Sequence, residues 1–238
     1  MAIHLPDLAG ATIAFDLDGT LVDTAPDLVA TLNVLLASEG VSPLALDTAR
    51  PMIGRGARAL IARGFEAAGS PLAEARLTTL FDRFIEHYRA HIADHSRPFP
   101  GVRAALDRLG RAGARLAVCT NKRTDLSVAL LDSLDLARYF AAVVGSDAAP
   151  AAKPDPRHLI TAIARAGGDV GRAVMVGDSA SDAGAARAAV VPLVLVSFGY
   201  TEIAVHDLHP DVLIDHFDGL VDACAVLLRP CPAEAEPV

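Results

Sequence analysis

Apolar residues recur along the chain in short runs: Thr12 to Phe15, Leu116 to Cys119, Ala141 to Val144, Ala173 to Val176 and Leu193 to Val196, with a weaker run at Val212 to Ile214. Runs this short, rich in Val, Leu and Ile and flanked by polar residues, predict buried strands. Between them the apolar positions fall at helical spacing. One set is Val102, Ala105, Leu106 and Leu109, a second is Leu126, Leu130, Leu131 and Leu134, and a third is Leu159, Ile160, Ile163 and Ala164, closed by Gly167 and Gly168. Alternating strand and helix predicts an α/β fold, a Rossmann-like parallel sheet with helices on both faces.

The alternation breaks between Pro26 and His91, where no strand pattern occurs and the helical stretches are Leu28 to Leu36, Ala59 to Phe65 and Leu77 to Tyr88. An all-helical insertion is expected there. It leaves the sheet just after the first strand and returns at Arg97-Pro98-Phe99-Pro100-Gly101, a segment suited to a hinge. The expected division is residues 1–23 and 96–238 as an α/β core and 24–95 as a helical cap, with the tail from Arg229 to Val238 frayed.

Composition narrows the partners. Hydrophobic residues make up 52% of the 238, enough to fill both a core and a cap. Tryptophan is absent and the formal net charge is -8, so neither a stacking platform for bases nor a basic face for phosphates is available, and nucleic acid is not an expected partner. The longest uncharged stretch, Ala188 to Thr201, contains Pro192 and is too short to span a bilayer. No Lys or Arg precedes Arg50, so the start lacks the charged region of a secretory signal. Cys119, Cys224 and Cys231 cannot all pair within one chain and have no metal-ligand spacing, which predicts reduced thiols and a cytoplasmic location. The chain is expected to be a monomer or a homodimer.

Ligands of an open parallel sheet gather beyond the carboxyl ends of its strands. The first strand runs into Asp16-Leu17-Asp18-Gly19-Thr20, the second into Thr120-Asn121, and the fourth into Gly177-Asp178-Ser179-Ala180-Ser181-Asp182, while Lys153-Pro154 precedes the third core helix. Each piece alone has a plain structural use as a helix cap or a solvated charge. Together they put carboxylates, a hydroxyl and an ammonium at one mouth of the sheet, a set of complementary charges that points to a functional site.

The run FDLDGTLVDT from Phe15 to Thr24, with Thr120, Lys153 and the Gly177-Asp178 to Asp182 segment, resembles the haloacid dehalogenase-like superfamily of phosphotransferases, over a core from Thr12 to about Tyr200. The resemblance implies that Asp16 is a nucleophile forming an aspartyl-phosphate and that Asp18 is the general acid and base. It implies Mg²⁺ held by Asp16, Asp178 and the Asp18 carbonyl, a phosphate oxygen held by Thr120 and the Asn121 amide, and charge neutralisation by Lys153. A carboxylate approaching a phosphate dianion faces repulsion of roughly 8 kcal/mol at an effective dielectric near 20, so such cations are needed. Asp182, four residues after Asp178, shares its side of the first helical turn and is expected to orient Lys153 or a metal-bound water. Asp23 and Asp27 read as early-helix carboxylates near a positive helix end.

The position of the insertion resembles the subgroup containing phosphoglycolate phosphatases, beta-phosphoglucomutases and small pyrophosphatases. The segment from Ile53 to Leu60, Tyr88, and Pro98 to Val102 resemble the phosphoglycolate phosphatases in particular. Two positions depart from that pattern: Arg55 stands where a small polar residue is usual, and Val190 where a glycine is usual. Arg55 is a candidate for binding a substrate carboxylate in bidentate fashion, while Arg63 reads as a surface residue. His87, His91 and His95 recur at four-residue intervals with no carboxylate spaced to partner them, so a solvated helix face is expected rather than zinc. The expected function is Mg²⁺-dependent hydrolysis of a small phosphorylated metabolite such as 2-phosphoglycolate. The alternatives are a sugar phosphomutase, a pyrophosphatase, or a silent binding protein on the same fold. A dehalogenase is disfavoured because that reaction does not require the carboxyl of Asp18.

Overall fold

The computed structural model describes residues 8–229; Cys231 and the tail beyond Arg229 lie outside them. A six-stranded sheet has the order β5-β4-β1-β6-β7-β8, with every pairing parallel. Its strands are β1 (Thr12–Phe15), β4 (Arg115–Cys119), β5 (Ala142–Val144), β6 (Ala173–Gly177), β7 (Leu193–Val196) and β8 (Val212–Ile214). All six apolar runs are therefore strands. Because β1 lies between β4 and β6, the chain crosses from one side of β1 to the other, and the carboxyl ends of these three strands border the crevice that such a switch leaves.

Alternate residues of β1 face opposite layers: Ile13 and Phe15 join one apolar cluster and Ala14 the other. The first layer includes α5 (Val102–Arg111) and α9 (Leu220–Leu227), and the second α7 (Pro156–Arg165) and α8 (Ala180–Ala189). The helix α6 (Thr124–Ser133) follows β4. Two of these helices begin on strong caps. Pro156 opens α7 behind Asp155, whose side chain accepts from the Arg157 amide, and Ser179 and Asp182 form a reciprocal capping box on α8.

The insertion is helical, as expected. It comprises α1 (Ala25–Ser38), a short α2 (Leu46–Ala49), α3 (Ala57–Ala67) and α4 (Glu74–Ala90), packed around a separate core that includes Leu32, Leu36, Ile61, Phe65, Leu80 and Phe84. The hinge segment takes part in a regular element that its sequence does not show. Val22–Asp23 (β2) pairs antiparallel with Arg97–Pro98 (β3), so the outgoing and returning chains form a two-stranded ribbon. Two-residue strands carry no periodicity to read, and Pro98 is tolerated because a ribbon this short is all edge.

Three readings of charged residues on the insertion are extended or corrected. Asp27 does lie in the first turn of α1, as expected, but it is also buried, accepting from the His95 and Ser96 amides and, at 2.6 Å, from Ser96 Oγ. It fastens the start of α1 to the returning chain. His91 does have a carboxylate partner, Asp94, 2.7 Å from its Nδ1. His87 is half-buried, stacked on His91 and 3.2 Å from Thr31 Oγ1, so the face is only partly solvated. Among the described residues no helix is long and apolar enough to cross a membrane.

Candidate active site

Asp16 leaves β1 still in register with the sheet, its amide donating to the Val176 carbonyl at 2.9 Å, and its Oδ1 accepts from the Leu17 amide at 2.7 Å. The turn that follows needs glycine. Gly19 has φ +81°, and a Cβ there would lie 2.6 Å from Asp178 Oδ2 and 2.8 Å from the Tyr200 ring. A Cβ at Gly199 would lie 2.1 Å from Asp178 Cβ. The absence of side chains at these glycines lets Asp178 sit against the Asp16 loop, where it accepts from Thr20 Oγ1 and the Tyr200 amide, each at 2.7 Å.

Lys153 comes from the loop before α7 and is 4% exposed. Its Nζ lies 3.1 Å from Asp16 Oδ2 and 2.7 Å from Asp182 Oδ1. Three side-chain contacts hold its backbone: the amide donates to Asn121 Oδ1 at 2.9 Å and to His158 Nδ1 at 3.2 Å, and the carbonyl accepts from Asn121 Nδ2 at 3.1 Å. Burial, reinforced by the Lys153 charge, pushes His158 down to about 4, so its ring is neutral, accepting at Nδ1 and donating from Nε2 to Val144 O. Neither His158 nor the Asn121 carboxamide was identified from sequence as a support for Lys153.

The carboxylates crowd one another. Asp16, Asp178 and Asp182 each place an oxygen within 4.8 Å of the others, and all are buried. Burial raises Asp16 to about 6, with Lys153 opposing and Asp182 and Asp18 adding to the rise. Burial, then Asp182 and Asp16, raises Asp178 well above the usual carboxylate range. Four carboxylates, Asp16, Asp18, Asp178 and Asp182, face only Lys122 and Lys153 as buried ammonium partners, a deficit that one divalent cation would balance.

The donor set suits such an ion. All the candidate ligand atoms are oxygens, as Mg²⁺ prefers. Asp182 is the most committed of the three, with Lys153 on Oδ1 and the Asp178 and Ser179 amides and Ser179 Oγ on Oδ2, against a single donor on each oxygen of Asp16 and of Asp178. That leaves Asp16 and Asp178 better placed than Asp182 to ligate a divalent cation.

Asp18, two residues from Asp16, lines a cavity of about 300 Å³ that Asp16, Thr120, Asn121 and Arg55 also line. Its oxygens both receive Lys122 Nζ at 2.9 Å, and Oδ1 accepts from Thr24 Oγ1 at 2.8 Å. Lys122 is the largest omission of the sequence reading. Within Asn121-Lys122-Arg123 it looks like a solvated cation, yet it is buried against Asp18 and the Tyr88 ring, 4.6 Å from the centroid.

Residues of the helical insertion line the cavity together with residues at the mouth of the sheet. Asn121 Nδ2 also donates to Gly54 O at 3.1 Å, Arg89 pairs with Asp125, and Arg63, read as a surface residue, pairs with Glu202. Arg55 lines the cavity with no hydrogen bond or ion pair of its own among the described residues. Asp23 lies outside the site, in the ribbon, where it accepts from Tyr200 Oη and pairs with Arg50 at 3.0 Å. Cys119 is buried beneath the site, which pushes its thiol up to about 12.

Known proteins share this architecture. A phosphoglycolate phosphatase of Caulobacter vibrioides is 60% identical over 229 residues, 96% of this chain and 97% of its own. One from Agrobacterium fabrum is 50% identical over 209 residues, 88% and 90% of the two chains. Among solved structures, that of a predicted phosphoglycolate phosphatase from Haemophilus somnus 129PT superposes with a TM-score of 0.83 at 27% identity, covering 91% of this chain and 98% of that one. CbbY from Rhodobacter sphaeroides, solved in complex with phosphate, gives 0.74 at 25% identity over 88% and 96% of the chains. Residues 11–189 match the haloacid dehalogenase-like hydrolases, and this chain belongs to that family.

Proposed function

We propose that the protein is a Mg²⁺-dependent phosphatase that hydrolyses a small phosphomonoester, 2-phosphoglycolate, through an aspartyl-phosphate on Asp16. The observation that carries this is the buried Lys153 ammonium lying between Asp16 and Asp182, next to a cavity that Asp16 and Asp18 line. The names of the relatives from Caulobacter vibrioides and Agrobacterium fabrum support the choice of substrate.

In this reading Asp16 attacks phosphorus while ionised, the form that dominates near neutral pH for a carboxyl raised only to about 6. Asp18 gives a proton to the departing ester oxygen. It then takes one from the water that attacks the aspartyl-phosphate, restoring Asp16. Lys153 balances charge on Asp16 and on the transferring group, and Asp182, bonded to Lys153 at 2.7 Å, keeps the ammonium aimed. Thr120 and the Asn121 amide hold a phosphate oxygen. Asp16, Asp178 and the Asp18 carbonyl would hold Mg²⁺, which supplies positive charge beside the phosphate.

Residues 24–95 act as the lid that excludes water and admits the substrate, and Arg55, the cavity's uncommitted guanidinium, takes the substrate carboxylate. Every group named comes from one chain, so monomer and homodimer are equally competent. Buried Cys119 and Cys224 are free thiols, in keeping with a cytoplasmic location.

Phosphate release from a panel of 2-phosphoglycolate, sugar phosphates and pyrophosphate, with Mg²⁺ and with chelator, tests the proposal. It expects metal-dependent release with 2-phosphoglycolate foremost. Isomerised sugar phosphate without free phosphate would instead make the chain a mutase, and folded protein inert to every ester would make it a binding module.

A further inference from the structure

The cavity above Asp16 is richer in hydrocarbon than 2-phosphoglycolate can use. Its volume, about 300 Å³, is that of a small ligand pocket. The walls facing Asp16 and Asp18 include Leu28 of α1, Ile53 and Leu60 around α3, Phe81 and Ile85 of α4, and Leu126 of α6. The basic residues of the lining are largely engaged: Arg58 with Glu74, Arg123 with Asp125, and Lys122 with Asp18. Arg55 alone is uncommitted, and it is exposed. Phosphoglycolate carries a single methylene between its two anions, so it leaves most of this apolar wall against water, and wetting such a wall is unfavourable.

We infer that the site has a second activity, hydrolysis of uncharged-tail phosphomonoesters, meaning short n-alkyl phosphates whose chains lie along this wall. The inference rests on the phosphatase reading of Asp16 and Asp18. The chemistry is the same: water oxygen bonds to phosphorus, the ester oxygen leaves as the alcohol with the proton from Asp18, and inorganic phosphate is the other product. What differs is the binding. An alkyl tail gains nothing from Arg55 and gains from each methylene moved out of water, so kcat/KM rises by about twofold to fourfold per methylene until the chamber is full.

The test uses the full chain with saturating Mg²⁺ and compares ethyl, n-butyl and n-hexyl phosphate with 2-phosphoglycolate. The expected result is a rise in kcat/KM from ethyl to butyl, and n-alkylphosphonates, which cannot be cleaved, inhibiting 2-phosphoglycolate turnover more tightly with length. In Ile85→Asn both slopes flatten, whereas a general folding defect would lower all the esters in proportion and leave the slopes alone. A flat or falling series with 2-phosphoglycolate still hydrolysed, or slopes unchanged in Ile85→Asn, overturns the inference while sparing the phosphatase reading. No phosphate from any ester, 2-phosphoglycolate included, overturns both.

Discussion

Lys122 places its ammonium 2.9 Å from each carboxylate oxygen of Asp18 while resting 4.6 Å from the centroid of the Tyr88 ring on α4. One buried cation thus joins the carboxyl proposed to move protons to a helix of the insertion. Burial works against that ammonium, but Asp18 and Tyr88 more than offset it and raise its proton affinity above the usual lysine range.

Replacing this cation should cost both chemistry and stability. Lys122→Met leaves the Asp18 carboxylate in a mostly buried place with only Thr24 to steady it. kcat is expected to fall about tenfold to a hundredfold, and stability by up to about 3 kcal/mol. Steady-state kinetics and denaturant unfolding check the two effects, and wild-type kcat would remove Lys122 from the positioning of Asp18.

Substrate recognition by Arg55 should appear in KM. Arg55→Gln is expected to raise KM for 2-phosphoglycolate about tenfold with kcat nearly unchanged, the pattern of a lost contact made equally in the ground and transition states. An unchanged KM would return Arg55 to the solvent.

The carboxylate cluster ties metal binding to pH. In the metal-free protein burial lifts Asp16 from 3.8 to about 6, against Lys153 and with help from Asp182 and Asp18, and Asp178 moves the same way. A folded-state value above the unfolded one means that between 3.8 and about 6 the native form binds more protons than the unfolded chain, so metal-free stability conferred by these groups falls as pH rises through that window. Mg²⁺ competes with those protons, so the rise in Tm on adding Mg²⁺ should be larger at about pH 7.5 than at about pH 5. Differential scanning calorimetry measures both, and equal rises would contradict the assignment of Asp16 and Asp178 as ligands.

Val190, which stands where glycine is usual, ends α8 with φ 55° and is 88% exposed. A β-branched residue in the left-handed region is strained by about 1–2 kcal/mol, and nothing packs here in compensation. Val190→Gly relieves that strain at an entropic cost of about 0.5–1 kcal/mol, so a net gain near 1 kcal/mol and a Tm higher by about 2–4 °C are expected. A lower Tm would show that the valine is not strained.

The parts of the molecule legible in the sequence are those where chemistry sits at a fixed place in a pattern. Asp16, Thr120 and Asp178 directly follow apolar runs, so locating β1, β4 and β6 also located them. Lys153 follows no strand and rested on the resemblance; in the fold it is buried between two carboxylates. Lys122, His158 and Tyr200 were not legible because their roles arise only from tertiary contact. Lys122 and Asp18 are 104 residues apart, and the Tyr200 amide reaches Asp178 across 22. The second role of Asp27 was hidden for the same reason: its place in the first turn of α1 was legible, but its partners His95 and Ser96 return from the far end of the insertion.

The central step of the proposed reaction is a covalent bond between phosphorus and Asp16. Acid quench of the enzyme within its first turnover on radiolabelled 2-phosphoglycolate, followed by peptide mapping, tests it directly, with Asp18→Asn used to slow the loss of the intermediate. Label on the peptide carrying Asp16, greater in Asp18→Asn and absent in Asp16→Asn, is the predicted result. Phosphate released at wild-type rates by Asp16→Asn, or label on a different residue, would contradict it.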